Sequence, residues 1–409
     1  MSHVPTASLN SAAPYRGWSH SQALWLKASI LVSFFAASSA PSPLYALYRE
    51  AWGFSALTLT LVFASYAIAL LGALLVFGAL SDHRGRREVV LLALALEIGS
   101  VLLFWRADGV GGLLAARVLQ GVATGIATSA LSAGLLDLHR DRGALVNSIA
   151  PMVGMALGAL GTSVLVQFAP APTKLVFELL LAILALQMLA AFYLPETVTR
   201  RPGAWRSLKP SLVIPARAKS TLWQILPINT ALWALGGFYL SLGPTLARTV
   251  TGLQSPVVGG ALIAALVLSS AAAILVVRER APRQALFMGA VALAGGVVVT
   301  LFGMHGHSAL ALFLGTVIAG FGFGSSFNGA MRSLVPLAEA HERAGLMSSF
   351  FVLSYLAFSL PAILAGLFAG VFGLQATAMG YGITLVVMAL VALRLMARSA
   401  ATATGRANS

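Results

Sequence analysis

The sequence predicts an all-α membrane protein whose twelve transmembrane helices form two pseudo-symmetric bundles of six. Composition, the spacing of apolar runs and a repeat between the halves of the chain lead to this fold class. Hydrophobic residues make up 58% of the 409 residues and charged residues only 9%, against about 25% charged in soluble domains. A water-soluble core of this size cannot bury so much apolar surface. At about 20 residues per membrane helix, the apolar content supplies roughly a dozen spans.

Twelve apolar runs, separated by short polar or Gly/Pro-containing segments, define the predicted spans. In chain order they are residues 23–44, 56–79, 89–105, 111–136, 144–168, 174–194, 222–246, 256–277, 284–303, 308–331, 345–369 and 375–396. The first run is long enough to be a retained helix rather than a cleaved signal. The predicted organisation is therefore an N-terminal tail (1–22), a six-helix bundle (23–194), a central loop (195–221), a second bundle (222–396) and a C-terminal tail (397–409).

The distribution of Lys and Arg predicts the orientation. If the N-terminus lies inside, 21 of the 26 Lys and Arg residues, Lys27 included, fall in inner segments, four fall outside, and Arg117 alone lies within a span. Because basic loops stay on the cytoplasmic side, both termini are expected in the cytoplasm, at a plasma membrane such as the bacterial inner membrane. The net charge of +14 then reflects topology and the lipid bilayer as a partner, and no nucleic-acid partner is expected.

The two halves of the chain contain similar segments, which indicates an internal repeat. The segment DRGALVNS (141–148) leads into the fifth predicted span, and ERAGLMSS (342–349) leads into the eleventh, six spans later. A parallel repeat of this kind is typical of transporters whose substrate site lies near the midplane between the two halves.

A glycine-rich basic loop, GALSDHRGRR (78–87), connects the second and third predicted spans. Gly78 suits a close helix contact, and Gly85 suits a left-handed turn in a short loop. Asp82 is placed to meet a helix N-terminus or a guanidinium. Arg86 and Arg87 are expected to hold the loop at the membrane surface. These residues form the candidate gating loop.

The loop resembles the signature of the major facilitator superfamily, Gly-x-Leu-(Ala/Ser)-Asp-Arg-x-Gly-Arg-(Arg/Lys), with His83 where the family usually has Arg. The twelve spans and the central loop extend the resemblance over essentially the whole chain. The resemblance implies a secondary transporter that works by alternating access. It also implies that Asp82 contacts the start of the eleventh span when the inner side is closed.

An arginine and an acid inside the membrane are the candidate proton-coupling groups. Arg117 and Gln120 share one face of the fourth span, and an intramembrane arginine is expected only beside an internal partner or a wet cavity. The Arg-x-x-Gln-Gly sequence here also resembles a motif of proton-coupled facilitators. Glu97 on the third span lies only about 4–5 Å deeper than Arg117, which predicts a buried pair, either a proton carrier or a structural clamp. Glu178 is expected to pair with Lys174.

Further polar and aromatic residues are predicted to face the cavity. Each is individually more compatible with packing than with ligand contact, but together they describe a largely apolar cavity with few fixed charges. Such a cavity suits amphiphilic or weakly polar solutes. These residues are Tyr45, Tyr66, Thr124, Asn147, Asn229, Trp233, Asn328 and Tyr355.

Sequence signatures of enzymes are lacking. The chain has no nucleophile elbow, no phosphate-binding Gly-Lys-Ser/Thr loop, no pair of metal-spaced histidines and no cysteine. No enzymatic activity, cofactor or metal is therefore expected. The predicted function is proton-coupled export of a small amphiphilic molecule by a monomer. A proton-coupled importer of a small organic solute, and a transport-inactive receptor on the same fold, are the alternatives.

Overall fold

The computed structural model describes residues 18–339 and 341–407, with side chains as far as Arg398. Most of the predicted N-terminal tail, including Arg16, lies outside the described residues. Every regular element in the described part is helical. The 3₁₀ turns are Arg206–Leu208 and Val335–Leu337, and the α-helices are α1 (His20–Ser39), α2 (Pro41–Trp52), α3 (Ala56–Phe77), α4 (Leu80–Arg84), α5 (Arg86–Arg106), α6 (Val110–Leu138), α7 (Arg140–Phe168), α8 (Pro172–Ala191), α9 (Ala216–Ser241), α10 (Gly243–Thr251), α11 (Pro256–Val277), α12 (Pro282–His305), α13 (Ala309–Leu334), α14 (Arg343–Phe372) and α15 (Leu374–Ala407).

Eleven helical segments in the described part are long and apolar enough to cross a bilayer, with α1 and α2 counted together. The count is twelve when α9 and α10, which meet at 71°, are taken as one broken span. The predicted fold class is therefore confirmed. At the C-terminus the helix continues to Ala407, beyond the predicted end of the last span at residue 396.

The first span is interrupted by proline. α1 ends at Ser39, and the chain continues as α2 from Pro41. In a continuous helix the carbonyl of Ala37 would accept a hydrogen bond from residue 41, but proline has no N–H to donate. The predicted span 23–44 ran straight through this break. As a result, the carbonyl oxygen of Ala37 is available to another partner inside the bundle.

The two halves of the molecule meet along two glycine-containing seams. α7 packs against α11, and α3 packs against α14. A Cβ atom added at Gly260 would collide with Ala159 and Ser163, and one added at Gly366 would collide with Thr60. Small residues allow membrane helices to approach until their backbones touch. The halves therefore contact closely at the seams and leave a cavity between them.

The two ends of the bundle differ in how the halves meet. We name them the α4 end, where α4 and residues 192–215 lie, and the opposite α10 end. At the α10 end, Arg248 on α10 lies 3.8 Å from the carboxylate of Glu50 on α2. This ion pair links one half to the other.

Candidate functional site

A cavity of about 800 Å³ lies between the halves. Its walls come from α1, α3, α6 and α7 in the first half and from α9, α11, α13 and α14 in the second. The exposed residues in its lining are Asp141, Arg142, Ala144 and Arg278, which all lie at the α4 end together with the half-buried Arg332. The cavity therefore opens at the α4 end and is closed at the α10 end.

An aromatic cluster forms a large part of the cavity wall in the second half. Trp233 lies at its centre, with ring centroids 5.0 Å from Tyr355, 5.8 Å from Phe358 and 6.2 Å from Phe327. Phe63 of the first half lies 5.1 Å from Phe358. Edge-on and tilted rings of this kind present a broad apolar surface to a ligand.

Five of the eight residues predicted to face the cavity line it. They are Tyr66, Asn147, Trp233, Asn328 and Tyr355. The other three do not, and the prediction is corrected for them. Tyr45, Thr124 and Asn229 are buried inside their own halves, and Asn229 donates a hydrogen bond to the Ser354 hydroxyl at 2.9 Å. Helical periodicity identifies a polar face, but it does not say which neighbour that face meets.

Four lining residues carry polar atoms that have no partner among the described residues. They are the hydroxyl of Thr128, the indole N–H of Trp233 and the amide oxygens of Asn147 and Asn328. The amide nitrogen of Asn147 donates to the carbonyl of Ser132 at 3.0 Å, which fixes the orientation of that side chain. An otherwise apolar cavity thus holds a few hydrogen-bonding groups, an arrangement that orients a small ligand.

Arg117 is completely buried beside the cavity. Its Nε donates to the Tyr45 hydroxyl at 2.7 Å, and its Nη1 donates to the Ser38 carbonyl and to Gln120 Oε1, each at 2.7 Å. The rings of Tyr45 and Tyr66 lie 5.4 Å and 5.5 Å from the guanidinium carbon. These contacts replace part of the water that the cation would lose in the membrane, while Nη2 has no hydrogen-bond partner among the described residues.

Gln120 links this cation to an acid. Its Nε2 donates to Glu97 Oε1 at 3.2 Å and to the Ala37 carbonyl at 3.1 Å, the carbonyl left free by Pro41. The predicted direct contact of Glu97 with Arg117 is therefore wrong. Gln120 stands between them because an amide can accept from a guanidinium at one end and donate to a carboxylate at the other. Glu97 Oε2 has no partner among the described residues.

The polar chain of Arg117, Gln120 and Glu97 does not line the cavity, but it lies directly behind the cavity wall. Ser38 and Tyr66 belong to the lining, and both contact Arg117. A single layer of residues therefore separates the charged chain from the space that a ligand would fill.

The candidate gating loop is held by ion pairs within its own half. Asp82 lies 2.5 Å from Arg86, and Nε of Arg86 lies 3.1 Å from the carboxylate of Asp137 at the end of α6. The contact of Asp82 with the start of α14, which the family resemblance implied for the closed inner side, is not formed. Asp82 is instead exposed, as expected when the cavity is open at this end.

A residue that the sequence analysis missed caps the helix after this loop. Glu196 accepts the backbone N–H groups of Arg86 at 2.8 Å and Arg87 at 3.1 Å, where the positive end of the helix dipole favours an anion. Gly85 has φ +106°, and a Cβ there would collide with Glu196, so glycine is required. Gly78 lies against the Leu74 carbonyl of its own helix, and the expected contact with another helix is not formed.

Two further expectations about charged side chains are corrected. Lys27, counted as a loop-side cation, is 1% exposed, and its Nζ donates to the Gly134 carbonyl at 3.3 Å. The expected Lys174–Glu178 ion pair is not formed, because both side chains contact Trp105. The indole donates to Glu178 at 3.0 Å, and the Lys174 ammonium lies 5.1 Å from the ring centroid.

The described residues contain no group of three His, Asp or Glu side chains placed to hold a metal ion. What the site offers chemically is one buried carboxyl group, a buried guanidinium and an apolar cavity beside them.

Comparisons with known proteins agree with this arrangement. Residues 28–298, about two thirds of the chain, match the family described as Major Facilitator Superfamily. No curated protein matches the sequence significantly. Among solved structures, the human organic anion transporter MFSD10 (TETRAN) has a TM-score of 0.67 and 19% identity, covering 92% of this chain and 100% of its own. A point mutant of the nucleoside transporter NupG has a TM-score of 0.72 and 15% identity, with 91% and 99% covered.

The similarities to solved structures establish only a common fold, because the sequence identities are 19% and 15%. The family match, in contrast, is a match of the sequence itself. Together with the helices that enclose a cavity between two halves, they indicate a membrane transporter rather than an enzyme. The chain belongs to the major facilitator superfamily.

Proposed function

We propose that this protein exports small amphiphilic compounds in exchange for protons by alternating access. The observation that carries the proposal is the position of the Glu97–Gln120–Arg117 chain one residue layer behind a largely apolar cavity. A proton-coupled transporter needs a titratable group that responds to the occupied cavity. Glu97 is a buried acid, and Tyr66 and Ser38 connect its partner Arg117 to the cavity wall.

The proposed coupling works through Arg117. A ligand that displaces Tyr66 or Ser38 changes the surroundings of Arg117 and hence of Gln120, which holds Glu97. When Gln120 turns away, the buried carboxylate loses its one hydrogen bond, and binding a proton then removes a poorly solvated charge. When the chain re-forms, the proton is released. A difference of about 1.4 kcal/mol in these contacts changes proton affinity tenfold.

The predicted orientation supports the proposed direction of transport, because an exporter must be able to load its substrate from the cytoplasm. If the excess of Lys and Arg places the α4 end in the cytoplasm, the cavity described here opens inward and loads substrate from inside a bacterial cell. The two structural relatives are transporters of organic anions and of nucleosides, which are small organic solutes. A substrate of that size fits the cavity.

The orientation has a direct test, because the chain has no cysteine. A cysteine replacing His139, between α6 and α7 at the α4 end, should be protected from an impermeant thiol reagent applied to whole cells. A cysteine replacing Gln254, at the α10 end, should be labelled. The reverse pattern would overturn the orientation and remove this support for export.

The variant Glu97→Gln tests the coupling chemistry. It resembles the protonated acid and retains hydrogen bonding, so we expect a folded protein that binds substrate but does not move it against a proton gradient in proteoliposomes. The transported compound is first found by comparing deletion and overexpression strains on a panel of toxic compounds. Glu178→Gln is the matched control, since it changes the other intramembrane acid, and it should keep gradient-driven transport.

The alternatives predict different results. Unchanged resistance together with faster uptake of a nutrient would favour the importer, and binding without transport under any gradient would favour the receptor. Normal gradient-driven transport by Glu97→Gln would remove Glu97 from the mechanism.

A further inference from the structure

The segment between the two halves forms a strap across the α4 end, which we define as residues 200–214. At one end, the backbone N–H of Arg201 donates to the His83 carbonyl at 3.1 Å, and His83 Nδ1 donates to the Pro202 carbonyl at 3.2 Å. At the other end, the N–H of Val213 donates to the Gly345 carbonyl at 3.3 Å. The strap is thus attached to the gating loop of the first half and to the start of α14 in the second.

The outer surface of the strap combines an aromatic ring with unpaired cations. Trp205 is 80% exposed. Arg201, Arg206 and Lys209 are also exposed, and none of them has an ion pair with a described residue. Leu212 adds an exposed aliphatic side chain. An exposed tryptophan beside Lys and Arg is typical of segments that lie at a membrane–water interface.

The neighbouring helices place the strap near the membrane surface. Trp25 and Trp223 lie near the starts of α1 and α9, at the α4 end, and are 65% and 68% exposed. Tryptophan is enriched at the level of the lipid headgroups, so these two side chains mark that level on each half. The turn Arg206–Leu208 packs against α3 and α4 at the same end.

We propose that the strap binds anionic phospholipid headgroups, with Trp205 inserted among them and Arg201, Arg206 and Lys209 beside the phosphates. Basic residues next to a membrane attract anionic lipids, and the ring and Leu212 supply an apolar anchor that a free phosphate ion cannot use. This gives a role to His83, which departs from the family signature. It anchors the strap instead of serving as one more surface cation.

A fluorescent label on the strap tests the proposal in the full-length protein. A single cysteine replacing the exposed Ser211 carries an environment-sensitive dye, and the protein is reconstituted in nanodiscs of phosphatidylcholine with or without phosphatidylglycerol. We expect a blue shift of the emission in the anionic discs only, and loss of the shift in high salt. Glycerol phosphate added to neutral discs should produce no shift. The same dye on Gln254→Cys, at the α10 end, should respond much less.

Charge variants identify the binding groups. Combined Arg201→Gln, Arg206→Gln and Lys209→Gln should abolish the shift, and Arg206→Gln alone should reduce it. Arg280→Gln, an exposed cation at the same end but outside the strap, should leave it unchanged. Equal emission in neutral and anionic discs, or a full shift in the triple variant, would overturn the proposal. No substrate is present, so the result does not depend on the proposed transport function.

Discussion

The two halves build the same scaffold, but among the described residues only the first half buries charged side chains. Counted from the first residue of each helix, the members of the polar chain in the first half have neutral counterparts in the second. On the fourth helix of each half, Arg117 of α6 corresponds to Thr316 of α13, and Gln120 corresponds to Ala319. On the third helix of each half, Glu97 of α5 corresponds to Leu293 of α12.

The neutral half keeps a hydrogen bond at this place without any ion. The hydroxyls of Thr316 and Tyr239 lie 2.9 Å apart, so the fourth helix of that half still contacts its first. A buried charge is costly and is not needed to build a six-helix half. The comparison therefore separates the two halves: the first holds the proposed proton-coupling groups, and the second provides the aromatic wall around Trp233.

The largest expected effect comes from removing the cation. Arg117→Met leaves Glu97 buried without its compensating charge, and we expect a loss of about 3–5 kcal/mol in the free energy of unfolding. Thr316→Val, the matched change in the second half, removes two neutral hydrogen bonds, with the Tyr239 hydroxyl and the Leu312 carbonyl, and should cost only about 1–2 kcal/mol. Thermal unfolding of the purified variants in detergent measures both. Equal losses would mean that the charged chain has no special energetic role.

A second substitution sharpens this result. Removing both charges with Glu97→Leu and Arg117→Met makes the first half resemble the second. Replacing a buried ion pair by apolar groups is often neutral or stabilising, so the double variant should recover most of the stability lost in Arg117→Met while losing proton-driven transport. A double variant as unstable as the single one would show that Arg117 stabilises the half through packing and the Tyr45 and Ser38 contacts instead.

A smaller effect is expected from the other half. Trp233→Ala removes the centre of the aromatic wall, and we expect the KM for the transported compound to rise roughly tenfold, about 1.4 kcal/mol, with the dependence on the proton gradient retained. Phe302→Ala, an aromatic residue of the same half that is 71% exposed, should change neither quantity. Loss of gradient dependence in Trp233→Ala would contradict the division between the halves.

The smallest effect concerns the exposed ion pair of the second half at the α4 end. Arg217 lies 2.5 Å from Glu342 and 3.0 Å from Glu339. The backbone N–H of Glu339 and the guanidinium of Arg217 hold the pKa of Glu342 below its ordinary value of 4.5. Because the pKa is lower in the folded state, this stabilisation is present above the unfolded value and is lost as pH falls through the folded one.

Arg217→Gln should therefore lower the unfolding temperature slightly near pH 7 and not at all near pH 3. The effect is small because water screens an exposed pair. Arg280→Gln, an exposed cation without an ion pair in the described residues, is the control and should show no such pH dependence. If the unfolding temperature of Arg217→Gln is still lowered near pH 3, the loss of the ion pair with Glu342 is not the cause.

The sequence predicted the features that depend on local pattern. The number and order of the spans follow from apolar runs of membrane length, and the nearness of Glu97 and Arg117 follows from counting residues along two neighbouring helices. The intervening Gln120 was named as part of the group, but its place between the charges depends on side-chain directions that a residue count does not supply.

The features that the sequence did not predict depend on contacts between distant segments. Pro41 was visible in the sequence, and it was the available signal for the break that turns Tyr45 towards Arg117 and frees the Ala37 carbonyl. The attachment of the strap to His83 and the capping role of Glu196 had no local pattern. Both join residues more than 100 positions apart, and only the packed fold brings these together.

The glycines at Gly260 and Gly366 have a mechanical consequence. At these two positions no side chain projects from the glycine into the facing helix, so the halves can tilt there without a side chain of α11 or α14 having to disengage. The preference for one orientation is then set at the ends of the bundle, by contacts between the halves such as Arg248–Glu50. A methyl group added at either glycine would collide with the facing helix. We expect it to block the relative tilting of the halves, although neither glycine lines the cavity or belongs to the charged chain.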